Sequence, residues 1–338
     1  MQQKDNPTVT VRKRWPFFVV TLLLIPLVVQ IVSITYEACI ENRLSICVRT
    51  VPTPVISVVP WTPTGRELVF NSIRDGDQEI YVMRDDGSDL VALTNNPASD
   101  VDPSWSPDGL HIVFTSDRDG DEEIYVMNAD GSAVQQVTFN DAFDCCADWS
   151  PDGSKLAFNS NLPDGDQDIY VIGVDGHGLT NLTDSSGDDR NPAWSPDGTN
   201  IAFDSRRDGQ AEIYVMNADG TNQVRLTYLF SAERGPAWSP NGSLIAYDSN
   251  QVDGQPAAEG DHDIFLMNSD GSNQVRIVRK PGEDRWPTWY PNGQYIVFTS
   301  FVSGDSNSGN VYTTLWTGGQ LSVLIGQAAG GAHWKPVP

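Results

Sequence analysis

Apolar positions beyond residue 60 fall in short runs, each closed by a cluster of turn-forming residues. One set follows a Pro- and Gly-containing turn: Leu68-Val-Phe, Ile112-Val-Phe, Leu156-Ala-Phe, Ile201-Ala-Phe, Ile245-Ala-Tyr and Ile296-Val-Phe. A second set follows a polar loop: Ile80-Tyr-Val-Met, Ile124-Tyr-Val-Met, Ile169-Tyr-Val-Ile, Ile213-Tyr-Val-Met, Ile264-Phe-Leu-Met and Val311-Tyr. Short runs rich in β-branched and aromatic residues, bounded by Gly, Pro, Asn and Asp, predict strands. Their apolar character is continuous rather than alternating, which predicts sheets covered on both faces.

A tryptophan box sets the period. It reads Trp61-Thr-Pro-Thr-Gly, Trp105-Ser-Pro-Asp-Gly, Trp149-Ser-Pro-Asp-Gly, Trp194-Ser-Pro-Asp-Gly, Trp238-Ser-Pro-Asn-Gly, Trp289-Tyr-Pro-Asn-Gly and a degenerate Trp334-Lys-Pro. The intervals are 44, 44, 45, 44, 51 and 45 residues, so seven marks bound six units. Each unit also holds a second turn, such as Asn128-Ala-Asp-Gly131, and a last strand ending in Leu-Thr, as at Leu93-Thr94. With the segment before each Trp, a unit has four strands. Such units, stacked about an axis, bury one another's apolar faces. The predicted fold class is all-β, a six-bladed β-propeller with four-stranded blades over residues 57–338, preceded by one N-terminal transmembrane helix. Trp61 and Trp334 compete for one innermost-strand place, so either terminus is a candidate to close the ring.

These Trp-Ser-Pro-Asp-Gly, Ile-Tyr-Val-Met-Asn and Leu-Thr boxes resemble those of the TolB-like propeller repeat family. The resemblance covers nearly all of the chain beyond residue 56 and implies the fold and a binding role. The family's namesake carries an α/β domain ahead of its propeller. Here an apolar segment and a tether stand in that place, which leaves the partner unassigned.

Trp15–Tyr36 is 22 residues long without a formal charge, long enough to cross a bilayer as a helix. Arg12, Lys13 and Arg14 precede it, so the positive-inside rule puts residues 1–14 in the cytoplasm and the propeller outside it. This reading is an uncleaved signal anchor in the cytoplasmic membrane, with a periplasmic or extracellular propeller. A cleaved signal peptide is the rival, and a lipoprotein at Cys39 is a weaker one. Residues 37–56 form an extended, Pro-containing tether in which Cys39 and Cys47 either pair or stay reduced.

The formal net charge is −24. Lys4, Arg12, Lys13 and Arg14 outweigh Asp5 in the first 36 residues, so the acidic excess belongs to the body. Such a surface repels phosphate backbones and excludes nucleic acid as a partner.

Short uniform turns occupy one propeller face, and variable loops occupy the other. On the variable face an acid stands five positions before the Trp in five units: Asp100, Asp144, Asp189, Glu233 and Asp284. These either ring the channel mouth to receive a cation or basic segment, or accept backbone N–H bonds that pin one blade to the next. Arg190, Arg234 and Arg285 follow three of them, which argues against a bare metal cage. Cys145-Cys146 stand there in one unit only, either as a vicinal disulfide or as thiols. Phe143, Phe230 and Trp286 lie near the same rim, serving either a peptide contact or packing between blades. The series Asp117, Asp119, Asp121 and Glu123 resembles a calcium loop but lacks the EF-hand frame, and Asp-Gly is also a plain turn dipeptide.

His111, His177, His262 and His333 lie in different units without metal spacing, and neither a nucleophile elbow nor a Gly-rich phosphate loop occurs. The expectation is a cell-envelope scaffold that binds a protein or peptide, not an enzyme, with no cofactor. The alternatives are a carbohydrate- or polymer-processing propeller and a calcium-stabilised structural module.

Overall fold

The computed structural model describes residues 65–162, 165–229, 231–252, 255–256, 262–301, 309–319, 321–328 and 330–336. Trp61, the anchor at 15–36, the tether at 37–56 with Cys39 and Cys47, Phe230 and residues 302–308 lie outside them. Among the described residues no helix is long and apolar enough to cross a membrane.

Six four-stranded antiparallel sheets carry the chain. From the innermost strand outward, the second blade is Asp100–Trp105, His111–Ser116, Glu123–Asn128 and Gln135–Gln136. Blades three to six repeat this order from innermost strands Asp144–Trp149, Asp189–Trp194, Glu233–Trp238 and Glu283–Trp289. The first blade breaks the chain order. Its second strand, Glu67–Ser72, pairs with Gly330–Trp334, so the C-terminus supplies its innermost strand. Trp334 therefore takes the place for which Trp61 competed in sequence. Lys335 extends the closure: its backbone N–H donates to Glu67 O at 3.0 Å and its ammonium lies 4.8 Å from the Trp105 ring centre in the next blade.

The second strand shows why the apolar runs are continuous. Leu68-Val69-Phe70 and Ile112-Val113-Phe114 are each wholly buried, residue after residue. Successive side chains leave opposite faces of a strand, so both faces are covered, one by each neighbouring blade. Val69, Ile80 and Val82 of the first blade accordingly share a core with Trp105, Ile112, Phe114 and Met127 of the second.

The boxes have separate jobs. The Trp149, Trp238 and Trp289 indole N–H groups donate to Ser104, Ala193 and Ala237 carbonyls of the preceding blade at 3.2, 3.2 and 3.1 Å. The Thr of each Leu-Thr box accepts a third-strand N–H, as Thr94 does from Ile80 at 2.8 Å. The Asn-Ala-Asp-Gly turn packs on the preceding blade. At Gly131, φ is 83° and an added Cβ would stand 2.7 Å from Leu93 O, so the position admits only glycine. Outer strands such as Val91–Ala92 are two residues long, which leaves little edge to recruit another chain.

Closure by the C-terminal strand makes a prediction. Trp334 is 2% exposed and meets Tyr290 of the sixth blade edge-on at 4.8 Å. Trp334→Ala is expected to cost about 3–5 kcal/mol, against less than about 0.5 kcal/mol for the exposed Trp316→Ala. Urea unfolding midpoints of the two variants check this, and equal midpoints would contradict closure at this seam.

Candidate functional site

The innermost strands meet around the axis, and each carries a bulge at the same place. Pairing with the second strand shifts register there in all six blades. The bulged residues are Gly331, Asp102, Cys146, Asn191, Gly235 and Trp286, with φ of 48, 51, 62, 53, 56 and 53°. A left-handed conformation is uncommon outside glycine and costly for a bulky aromatic. Neighbours help to hold it: the Asn191, Gly235 and Trp286 N–H groups donate to Asn159 Oδ1, Asp204 Oδ1 and Asp248 Oδ1 of the preceding blade at 3.3, 3.1 and 3.4 Å. Bulges re-aim side chains. Here one of them sets Trp286, 39% exposed, edge-on to Phe301 at 5.6 Å. Gly235 on one side and Gly330 on the other leave room for the indole, since a Cβ at either would lie 3.8 or 3.3 Å from its ring.

The five repeated acids sit at the start of these strands, all buried at 0% exposure. Asp100 accepts from Ser116 Oγ at 2.5 Å, Asn96 Nδ2 at 2.7 Å and Arg118 Nη2 at 2.9 Å. Asp144 accepts from Asn140 at 2.7 Å, Asp189 from Arg207 at 2.8 Å, Glu233 from Ser249 at 2.8 Å, and Asp284 pairs with Lys280 at 3.0 Å. The donors are side chains rather than the backbone N–H groups expected from sequence, and through Asn96 and Asn140 the acids connect to Glu79 and Glu123 of the preceding blade, which accept those asparagines' backbone N–H groups at 2.6 Å. In this arrangement the carboxylates latch strands and loops together.

The position after the acid, which Gly330 fills in the first blade where no acid precedes it, divides the mouth. Blades four, five and six present Arg190, Arg234 and Arg285, while the first three present Gly330, Val101 and Cys145. Arg190 pairs with Asp188 at 2.8 Å and Arg285 with Glu283 at 2.9 Å. Arg234 makes no ion pair among the described residues, and its Nε is buried without a hydrogen-bond partner. Burial lowers its pKa; the charges of Asp248 and Asp204 oppose this, while Arg206 and Arg285 reinforce it. Asp204 itself is pushed up to about 6, chiefly by burial.

The opposite sector is acidic and thiol-bearing. Asp102 sits beside Cys146, whose Sγ is 3.6 Å from its carboxylate, and burial raises its pKa. Glu122 is pushed up to about 6, mainly by burial and then by the charges of Asp102 and Asp117. Cys145 and Cys146 are both free thiols. Of the calcium-like series, Asp119, Asp121 and Glu123 bring ligand atoms within 4.8 Å of one another, whereas Asp117 is occupied by the Ser99 N–H at 2.7 Å. Phe143 lies in the loop before its blade, its N–H bound to Asn161 at 2.7 Å.

Two features have no signal in sequence. His262 and Asp248, fourteen residues apart, form a buried contact of 2.8 Å. Among the described residues no hydroxyl or thiol is bound to the other ring nitrogen. His333 accepts the Trp105 N–H at 3.4 Å, and burial pushes its pKa down to about 4. A groove of about 550 Å³ lies on the other face, between the turns Ser106–Asp108 and Pro151–Gly153. A similar groove lies between the third and fourth blades. Repetition marks them as products of blade stacking.

The buried acids set a pH dependence. Burial pushes Glu123 and Glu233 up to about 7 from an ordinary 4.5. The folded state then holds protons that the unfolded chain releases, so stability falls as pH rises through 7. His333 has the opposite sign, losing stability as pH drops from 6.5 towards 4. The thermal midpoint is therefore expected to rise as pH falls from about 7.5 towards 5, less steeply below 6.5 where His333 opposes the acids, and to change little above 8. Glu123→Gln keeps an acceptor for the Asn140 N–H and removes the buried charge. At pH 8 it is expected to gain on the order of 2 kcal/mol, and scanning calorimetry across this range checks both points.

The TolB beta propeller domain family matches residues 52–161 and 144–257. Among solved structures, TolB from Acinetobacter baumannii is 19% identical with a TM-score of 0.69, over 80% of this chain and 67% of that one. A TolB protein of Agrobacterium tumefaciens is 23% identical with a TM-score of 0.62, over 80% and 98%. A puromycin-hydrolyzing peptidase of Mycobacterium tuberculosis is 17% identical with a TM-score of 0.55, over 79% of this chain and 44% of that one. At these identities the likeness is one of fold. No curated protein matches the sequence. The family match spans more than half of the chain, and the chain belongs to the TolB β-propeller family.

Proposed function

We propose that the chain is a binding scaffold of the cell envelope, tethered through residues 15–36 to the cytoplasmic membrane, that holds a protein or peptide segment at the loop-rich mouth of the propeller. The carrying observation is Arg234, a partly buried guanidinium with no ion pair among the described residues, where the charges of Asp248 and Asp204 are offset by those of Arg206 and Arg285. A charge held this way lacks the direct carboxylate contact that buried charges favour. An acidic group of the bound segment supplies it, with the bidentate geometry that guanidinium favours. Trp286, exposed over the same mouth, offers an aromatic surface of the kind enriched at binding hot spots. Family membership supports a protein partner, while the two-sided charge of the mouth supports a fixed orientation for it.

On this reading, a calcium ion at Asp119, Asp121 and Glu123 is not needed for stability, and adding a chelator leaves the melting midpoint unchanged. A fall of several degrees would favour the calcium-stabilised alternative.

Panning a displayed random-peptide library against the detergent-solubilised full chain tests the scaffold itself. Enriched peptides are expected to share an acidic residue and to lose at least tenfold in affinity to Arg234→Glu, with Asp108→Asn on the opposite face as an unaffected control. Peptides without acids, indifferent to Arg234→Glu, would remove the basis for this reading. Turnover of a glycan polymer with no peptide retained would replace it with the enzymatic alternative.

A further inference from the structure

Cys145 and Cys146 are neighbours in one strand, and in regular β-structure their side chains would leave opposite faces. The bulge changes this. Register with the second strand shifts between Cys145 and Asp148, and Cys146 is left-handed at φ 62°. Both sulfurs consequently come together with the carboxylate of Asp102, the bulged residue of the preceding blade, all three ligand atoms lying within 4.8 Å of one another. Two thiols and a carboxylate from two blades thus converge at the axis.

The geometry points to a site for a thiophilic divalent cation of the zinc and cadmium type, with Cys145, Cys146 and Asp102 as its protein ligands and a fourth position left for water or a bound group. Tetrahedral coordination with metal–sulfur bonds of about 2.3 Å and metal–oxygen bonds of about 2.1 Å puts ligand atoms about 3.6–3.8 Å apart. Cys146 Sγ and Asp102 Oδ2 already stand at 3.6 Å, and the remaining separations need to close by roughly 1 Å at most. The donor set fits: thiolates select soft or borderline cations, while three-ligand sites keep an open position.

The surroundings fit as well. Asn159 Nδ2 donates to Cys145 Sγ at 3.3 Å and to Gln167 at 3.1 Å, an outer hydrogen bond of the kind that orients metal-bound thiolate. Among the described residues Asp102 has no cationic partner, and its carboxylate takes one hydrogen bond, from the Cys146 thiol. The buried acids of the latches mostly have a Lys, Arg or asparagine facing them; this one faces two thiols. No other blade has cysteine at these positions, so the site is unique in a repeated scaffold. Binding a divalent cation converts both thiols to thiolates and releases their protons. This inference does not depend on peptide binding at Arg234, which lies on other blades.

The test uses the reduced full chain in detergent, with Cys39→Ser and Cys47→Ser throughout so that only these two thiols remain. Cadmium titration is expected to give a sulfur-to-metal charge-transfer absorption saturating at one ion per chain, loss of both thiols to a thiol reagent, and a raised melting midpoint. Cys145→Ser and Cys146→Ser should each abolish the absorption at one equivalent. Asp102→Asn, which keeps both sulfurs, should weaken cadmium and zinc at least tenfold. Circular dichroism of each metal-free variant confirms that the propeller remains folded. Binding unchanged in Cys146→Ser or Asp102→Asn would overturn the site. So would a Cys145–Cys146 disulfide, in place of bound metal, as the stable form in preparations made without reductant.

Discussion

No blade here can stand alone. A sheet whose second strand buries three consecutive side chains has two greasy faces and only its neighbours to cover them. The rest follows from that constraint. Sheets covered on both sides by twisted copies of themselves fan about an axis, and a fan is stable only when its first and last members meet. The C-terminal strand Gly330–Trp334 makes them meet by completing the first blade, with Lys335 reaching on to the Trp105 ring of the second. Closure leaves two loop-bearing faces and a narrow axis, and these are where side chains escape the packing rules.

The sequence discloses whatever packing repeats. The tryptophan box is legible because an indole packs between neighbouring blades in every unit, and at Trp149, Trp238 and Trp289 its N–H also reaches a carbonyl of the preceding blade. The Leu-Thr box is legible because a threonine hydroxyl accepts the N–H of the third strand's second residue, as at Ile80, Ile124 and Ile213. The closing strand is harder to read. Gly330–Trp334 lacks the acid that opens the others, and Trp61 carries the better box, so sequence leaves two candidates for one place. Only pairing of Leu68 with Trp334 and Val69 with His333 decides it.

The axis was the least legible part, for a physical reason. The bulge falls at Gly331, Asp102, Cys146, Asn191, Gly235 and Trp286, residue types with no common propensity. The conformation is imposed by tertiary contacts, with three of the bulged N–H groups held by side chains of the preceding blade. The repeated acids show the converse. Their positions were plain in sequence, but their burial was not. A carboxylate five residues before a tryptophan reads equally as a rim charge or a latch until Ser116, Asn96 and Arg118 are found around Asp100. His262 and Asp248 meet only because Leu244–Ser249 and Asp263–Asn268 are paired strands.

Repetition also shows where specific chemistry resides. Residues common to all blades are under the same packing demand six times over, and any one of them says little about a ligand. The position after the strand-opening acid escapes that demand, since it tolerates glycine, valine, cysteine and arginine in one ring. A site that accepts such different volumes and charges is not governed by the core. Its present occupants give three blades a guanidinium and the other three none, and in the sector without them the bulge residues Asp102 and Cys146 stand beside Cys145. Opposite charges set apart around one low-dielectric opening produce a directed field, one that orients a charged segment as well as attracting it. The uniform stack of blades thus supplies rigidity, and the tolerant ring position together with the bulge residue beside it supplies the polarity that an unvarying sixfold repeat lacks.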